Sequence, residues 1–112
     1  MPKTFQPTLT TSVLATTALV KNRFAGLVSG NYCASGAKAL GAIQANTDSG
    51  EMAPVDVLGI VLVESGDAIN AGAEVQSGNN GVAIPKTSGL GNGYALDAAS
   101  TPGDVIRVIR GI

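Results

Sequence analysis

The sequence predicts an all-β protein, a small β-barrel or β-sandwich that carries an extended N-terminal arm. Two observations lead to that class: fifteen Gly and five Pro punctuate the chain, and the short runs between the turn-like clusters, which recur about every ten residues, are rich in Val, Ile and Ala. A third sets its scale. At 112 residues the chain has room for one core and not for two comfortable ones. The division expected is an arm over residues 1–12 and one β domain over 13–112.

The arm is read from Pro2, Pro7 and four Thr set among few apolar residues, a composition that becomes ordered against a neighbour more readily than on its own. Strands are then expected at Val13–Val20, Phe24–Val28, Tyr32–Ala34, Ala39–Ala45, Val55–Val63, Glu74–Ser77, Val82–Pro85, Tyr94–Leu96 and Val105–Ile109. The run from Val55 to Val63 is too rich in β-branched residues for a favoured helix, and Gly59 inside it marks a bend or bulge. It is expected to be the central strand. Asn79, Asn80 and Gly81 tolerate the positive φ of a tight hairpin turn, which would set Val75 opposite Val82. The stretch Leu96–Thr101 is the one candidate for a short helix or 3₁₀ turn, stopped by Pro102 and Gly103.

A weak internal echo runs through the chain. Ser29-Gly30-Asn31 returns as Ser77-Gly78-Asn79, Ala39-Leu40 as Ala95-Leu96, and Gly50-Glu51 as Gly103-Asp104. Two similar β-units and chance in a Gly- and Ala-rich chain both account for it.

Composition narrows the function. Sixteen Ala stand beside nine Leu, eleven Val and seven Ile, with two Phe, two Tyr and no Trp, so the core must be thin. A thin core gains from being shared between subunits, and oligomerisation is expected. Charged residues make up 13% of the chain, against about 25% in ordinary domains, which leaves much of the surface suited to contact with other protein. Seven basic and eight acidic residues give a net charge of -1, and the basic ones are scattered. Direct binding to nucleic acid, which needs a dense basic face, is not expected. Neither a membrane span nor a signal peptide is expected, because no apolar run approaches the required length and MPKTFQPTLT lacks a hydrophobic stretch.

The residues offer little for catalysis. There is no His, and Cys33 is the single Cys, so a Cys/His metal site and an intrachain disulfide are both excluded; a buried small hydrophobe is the expected role of Cys33. Most of the eight carboxylates lie beside Gly in turns, where they cap backbone N–H groups. Ser88-Gly89-Leu90-Gly91-Asn92-Gly93 is glycine-rich, but no helix follows whose N-terminus could face a phosphate, and it reads as a mobile surface loop. Lys38 and Lys86 lack the Met-Lys or Asp-Lys hairpin tip of lipoyl- and biotin-carrying domains. No catalytic residue, cofactor or metal site is therefore assigned. Lys21 and Arg23, flanking Asn22 beside the arm, read either as a solvated turn or as a charged contact to an acidic neighbour. Arg107 or Arg110 is expected to pair with Asp97 or Asp104.

Four stretches carry a resemblance: Gly36-Ala37-Lys38-Ala39-Leu40-Gly41, Gly66-Asp67-Ala68-Ile69-Asn70-Ala71-Gly72-Ala73-Glu74-Val75, Gly93-Tyr94-Ala95-Leu96-Asp97-Ala98-Ala99 and Gly103-Asp104-Val105-Ile106-Arg107-Val108. Over about residues 13–110 the chain resembles the capsid cement, or decoration, proteins of tailed phages. The Gly-Asp-x-Ile-x-x-Gly-x-x-Val pattern is shared with β-clip and barrel-sandwich domains, and a β-clip-like core fits it. The resemblance implies a non-enzymatic subunit on the outer surface of the virion. It would form a homotrimer and lock neighbouring major capsid proteins together. By analogy with decoration proteins whose N-terminal arms reach the shell, Thr4, Phe5, Gln6, Pro7, Thr8 and Leu9, with Lys21 and Arg23, are the candidate capsid or subunit contacts. The alternative is a carbohydrate- or receptor-binding β-module of a surface fibre, for which Phe5, Phe24, Tyr32 and Tyr94 are the only rings on offer.

Overall fold

A computed structural model describes residues 6–111. Within them the chain forms eight strands: β1 (Gln6–Leu14), β2 (Phe24–Gly26), β3 (Ala39–Ile43), β4 (Met52–Glu64), β5 (Glu74–Ser77), β6 (Ala83–Pro85), β7 (Gly93–Ala95) and β8 (Val105–Arg110). The expected all-β class holds. Seven strands follow the order β2-β3-β4-β8-β7-β5-β6 and curl into a nearly closed barrel, while β1 pairs with β4 off that path. Every strand pairing is antiparallel.

β4 is the central strand, as its β-branched run predicts, but it is longer than expected at thirteen residues. Its first part pairs with β1, from Met52 opposite Leu14 to Ile60 opposite Gln6, and with β3 at Val55 and Asp56. Its second part pairs with β8, from Gly59 opposite Arg110 to Glu64 opposite Val105. Gly59 sits between the two parts at φ 96°, in a region an L side chain enters only with strain. Alternation along β4 sends Ala53, Val55, Val61 and Val63 to the interior, each with no exposed surface.

Those four residues divide between two apolar clusters. Val61 and Val63 join Phe24, Ile69, Val75, Ile106 and Val108, with Cys33 and five Ala. Ala53 and Val55 join Ala15, Leu19, Ala25 and Ile43, with Val13, Tyr32 and Leu40 at the margin. Phe24 is the largest side chain to be fully buried, so the core is as thin as the composition predicts. The barrel closes where the turn after β5 meets β2: a Cβ on Gly81 would collide with the carbonyl of Phe24, and Arg23 Nη1 donates to Asn80 O at 3.3 Å.

Several local expectations need correction. The first strand ends at Leu14 instead of continuing to Val20, because after a last rung from Ala15 N–H to Glu51 O the chain leaves β4 and Thr16 N–H donates to Gly30 O; beyond that only an isolated bridge joins Leu19 to Thr47. Residues 6–12, expected as an arm, are extended but lie paired along β4. Tyr32–Ala34 forms an isolated bridge at Tyr32 to Ala25, not a strand. Leu96–Thr101 is not helical: Ala99 is buried and bridges to Ile69, and Asp97 is held by Arg107. The 3₁₀ turn falls instead at Asn79–Gly81, where Asn80 and Gly81 take the positive φ expected of them. The hairpin register differs by three residues, with Val75 opposite Pro85, because Gly78 N–H closes the turn on Val82 O.

Cys33 is buried in the larger cluster, and its thiol donates to Ala37 O at 3.3 Å. Burial raises its pKa, and a hydrogen bond from Ser77 offsets part of the rise. A thiol whose folded pKa lies above its unfolded one favours the fold fully below the unfolded value of about 8.5, and that contribution is lost as pH rises through the folded value.

Three outcomes follow from this packing. Phe24→Ala removes the largest buried side chain and is expected to cost about 3–5 kcal/mol in a denaturant titration. Cys33 is expected to resist a thiol-specific reagent in the native protein and to react on unfolding. The loss of stability above about pH 8.5 should be smaller in Cys33→Ala than in the parent, as read by denaturant titration at neutral and alkaline pH.

Candidate interaction surfaces

β1 presents the longest exposed edge of the sheet. Among the described residues it pairs with β4 alone, and Gln6, Leu9, Thr10, Thr11, Ser12 and Leu14 are exposed. Nothing in Gln6–Leu14 is charged. Natural edge strands are commonly blunted with Lys, Pro or a bulge to prevent pairing with other chains. Here Pro7 and the irregular register between Pro7 and Thr10 blunt the first half, and Thr10–Leu14 is left regular and bare. The outward N–H groups can be identified. Pro54 O accepts from Gln44 N–H on the β3 side, so the pair Ser12–Pro54 makes no hydrogen bond between β1 and β4, and the Ser12 N–H points away from the sheet. Alongside this edge, Leu9 faces Leu58 and Leu14 faces Met52, all four exposed.

Of the residues expected to make contacts, Gln6, Pro7 and Leu9 lie on β1 together with the backbone of Thr8, whereas Thr4 and Phe5 lie outside the described residues. The structure gives Arg23 internal partners. It forms an ion pair with Glu64 at 3.3 Å, and its guanidinium lies 5.8 Å from the centre of the Tyr32 ring. Lys21 stays exposed, its backbone N–H donating to Asn46 Oδ1 at 2.9 Å. It lines a cavity of about 140 Å³ with Asn22, Ile43, Gln44, Asp56 and Leu62. Asp56 is buried there, and its Oδ1 accepts from Thr10 Oγ1 at 2.9 Å and Gln44 Nε2 at 3.0 Å. This carboxylate ties β1 to the residue that follows β3, across β4, a role that turn capping does not describe.

A second apolar surface lies elsewhere on the barrel. Leu27 and Val28 stand at the tip of the loop after β2, Val28 with 97% of its surface exposed. With Leu90 and the small residues Gly26, Ala34 and Ala37 they line a shallow apolar groove.

The glycine-rich loop is better fastened than the sequence suggests. Gln76 Oε1 accepts from the N–H groups of Thr87 and Gly89, each at 2.9 Å, and Leu90 N–H donates to Gly36 O. Asn92 is buried, its Nδ2 donating to Ala37 O at 3.1 Å and its Oδ1 accepting from Ala39 N–H at 2.9 Å. A Cβ on Gly89 would lie 2.5 Å from Gly36 Cα, so glycine serves close packing here. The expected pairing at the last strand is present as Arg107–Asp97 at 2.9 Å, which raises the Arg107 pKa. Asp104 caps the N–H groups of Ser100 and Thr101.

Among the described residues no group of three or more His, Cys, Asp or Glu is placed to hold a metal ion, and no helix is long and apolar enough to cross a membrane. The surfaces that stand out are those for protein contact.

Comparison with known proteins agrees with this geometry. The N base of the head fiber gp8.5 of bacteriophage phi29 shares the fold, with a TM-score of 0.77 over 92% of this chain and 93% of that one at 19% sequence identity. No curated protein sequence matches significantly. The family model described as phage cement protein matches residues 3–110, nearly the whole chain, and this protein therefore belongs to the phage cement protein family and is a structural component associated with the phage head.

Proposed function

We propose that this protein is a decoration protein on the outer surface of the capsid, where it binds major capsid proteins as a homotrimer and holds neighbouring ones together. The observation that carries the reading is the bare, uncharged half of β1, Thr10–Leu14, beside the exposed pairs Leu9–Leu58 and Leu14–Met52. An extended segment of a capsid subunit adds to this edge by main-chain hydrogen bonds, which need no charged residues. Gln6, Pro7, Thr8 and Leu9 then lie at the contact because they belong to the same strand, with Thr4 and Phe5 preceding it in sequence. Lys21 adds a charged contact, while Arg23 acts mainly to hold Glu64 and the closing turn.

Clamping follows from multivalency. Each copy needs only modest contact with each capsid subunit, because a trimer makes its contacts simultaneously and raises avidity by about 10²- to 10⁴-fold where the geometry permits. Two capsid subunits can then separate only if cement contacts also break. Catalysis has no part in this function.

The likeness to a head fiber base keeps a second reading in play, a receptor- or carbohydrate-binding module of a surface fibre. Among the described residues its requirement for exposed rings is poorly met. Phe24 is fully buried, Tyr32 accepts from Val20 N–H through its hydroxyl, and Tyr94 is 38% exposed. Saturable binding on a glycan array, without binding to heads, would favour this module over the cement reading.

Sedimentation of undecorated, expanded heads with the purified protein is expected to give saturable binding. Failure to co-sediment would sink the cement reading. Ser12→Pro removes an N–H that β4 does not use; it is expected to change stability by less than about 1 kcal/mol and to weaken head binding at least tenfold, about 1.4 kcal/mol. Unchanged binding by this variant would remove the β1 edge from the interface. Light scattering on the free protein is expected to give the mass of a trimer.

A further inference from the structure

Arg110, at the end of β8, is a cation placed where its charge is not answered. It makes one hydrogen bond, from Nη2 to Ala39 O at 3.0 Å, and its Nη1 is buried without a partner. Among the described residues no carboxylate stands within ion-pair distance of it, the two ion pairs there being Arg23–Glu64 and Arg107–Asp97. Burial lowers its pKa. A desolvated guanidinium without a counter-charge is costly, and an orphaned buried donor in a native protein calls for a cause.

The surroundings of Arg110 supply one. It lines a cavity of about 310 Å³ together with Lys38, Glu74, Asn92, Tyr94 and Leu58. Lys38 spends one hydrogen bond on Gly91 O at 2.8 Å and keeps two donors free. Glycine shapes the wall: a Cβ on Gly93 would press on Val108 Cγ1 at 2.6 Å and Ile109 O at 2.7 Å, and one on Gly91 would collide with Glu74 Oε2. The mouth is rimmed by Leu58 and Tyr94, both exposed. Leu58 is also the partner of Leu9 on β1, so the cavity opens onto the same surface as the proposed capsid contact.

We infer that this cavity is a socket for an acidic side chain, an Asp or Glu carboxylate of the capsid subunit that engages β1, received by Arg110 and Lys38. A carboxylate in the cavity would answer the charge of the guanidinium beside it, and the apolar rim of Leu58 and Tyr94 would keep water from the pair, where charge-assisted hydrogen bonds are strongest. Glu74 shares the cavity without bonding to either cation. It acts as a competing charge that keeps the socket from closing on stray anions.

The inference rests on the cement reading, and the test separates the two. Wild type, Arg110→Met, Lys38→Met and Glu74→Gln are compared for sedimentation with undecorated heads, each after its folded fraction is verified. Arg110→Met is expected to lose about 30-fold or more in affinity and Lys38→Met about threefold, while Glu74→Gln binds more tightly than wild type. In parallel, the Arg110 Nε–H resonance of free wild-type protein is followed during titration with acetate against chloride. A saturable shift with acetate alone is expected, weakened in Lys38→Met. This arm keeps the socket testable if Arg110→Met does not fold. Wild type that responds to acetate but does not bind heads would overturn the cement reading and leave a carboxylate site. Heads bound equally by wild type and Lys38→Met, with no acetate response, would overturn the socket. An acetate response with head binding unchanged in both cation variants would overturn its assignment to the capsid.

Discussion

Everything in this molecule hangs on the length and bend of β4. Thirteen consecutive residues hold β1, β3 and β8 by main-chain hydrogen bonds, and alternation along them places Ala53 and Val55 in one apolar cluster and Val61 and Val63 in the other. A continuous strand could serve both clusters only if it turned between them, and Gly59 at φ 96° occupies that position. The two clusters are thus joined by backbone more than by side chains, and their sizes can be small because neither has to hold the fold alone.

A core of Val, Ile and Ala with one Phe, one Leu and one Cys gives limited hydrophobic stabilisation per residue. The loops compensate with polar side chains turned onto the backbone. Asn92 holds Ala37 and Ala39, Gln76 holds Thr87 and Gly89, Ser77 donates to Cys33 O, and Asp97 accepts from the Arg107 backbone as well as from its guanidinium. These bonds satisfy main-chain groups that barrel strands of three or four residues leave without partners. Most of the ordering that a larger protein obtains from apolar volume is obtained here from fixed hydrogen-bond geometry, which leaves exposed Leu and Val free for contact outside the chain.

What could be read in the sequence was whatever depends on local chemistry. The β-branched run of β4, the turn at Asn80–Gly81, the burial of Cys33, and the resemblance carried by the Gly-Asp-x-Ile stretch all rest on neighbouring residues. Where long-range partners decide, local sequence does not carry the answer. The Pro and Thr content of residues 6–12 indicates extended backbone but cannot say that β4 offers it an edge. Leu96–Thr101 has helix-tolerant composition, yet Ile69 holds Ala99 in a β-bridge and Arg107 holds the Asp97 carboxylate in an ion pair. The candidate site is legible to the same degree: sequence position points to the residues of β1, while for Arg110 it suggests only an ordinary ion pair with Asp97 or Asp104, because an uncompensated charge is visible only when its surroundings are.

The placement of charge completes the physical picture. A chain with so few ionisable groups can hide most of its surface against other proteins without desolvating unpaired charge, and each charged group that remains near a contact surface therefore carries more weight. Arg23 and Arg107 are neutralised within the chain by Glu64 and Asp97, and both pairs stabilise the barrel itself. Arg110 differs from them in that its Nη1 is buried without a partner. A protein that associates through bare strand edges gains affinity but little orientation, since main-chain pairing tolerates slips in register. A partly buried charge beside that edge would correct this weakness: a strand displaced by even one residue would leave the guanidinium unpaired, so the socket would set register where the edge sets affinity.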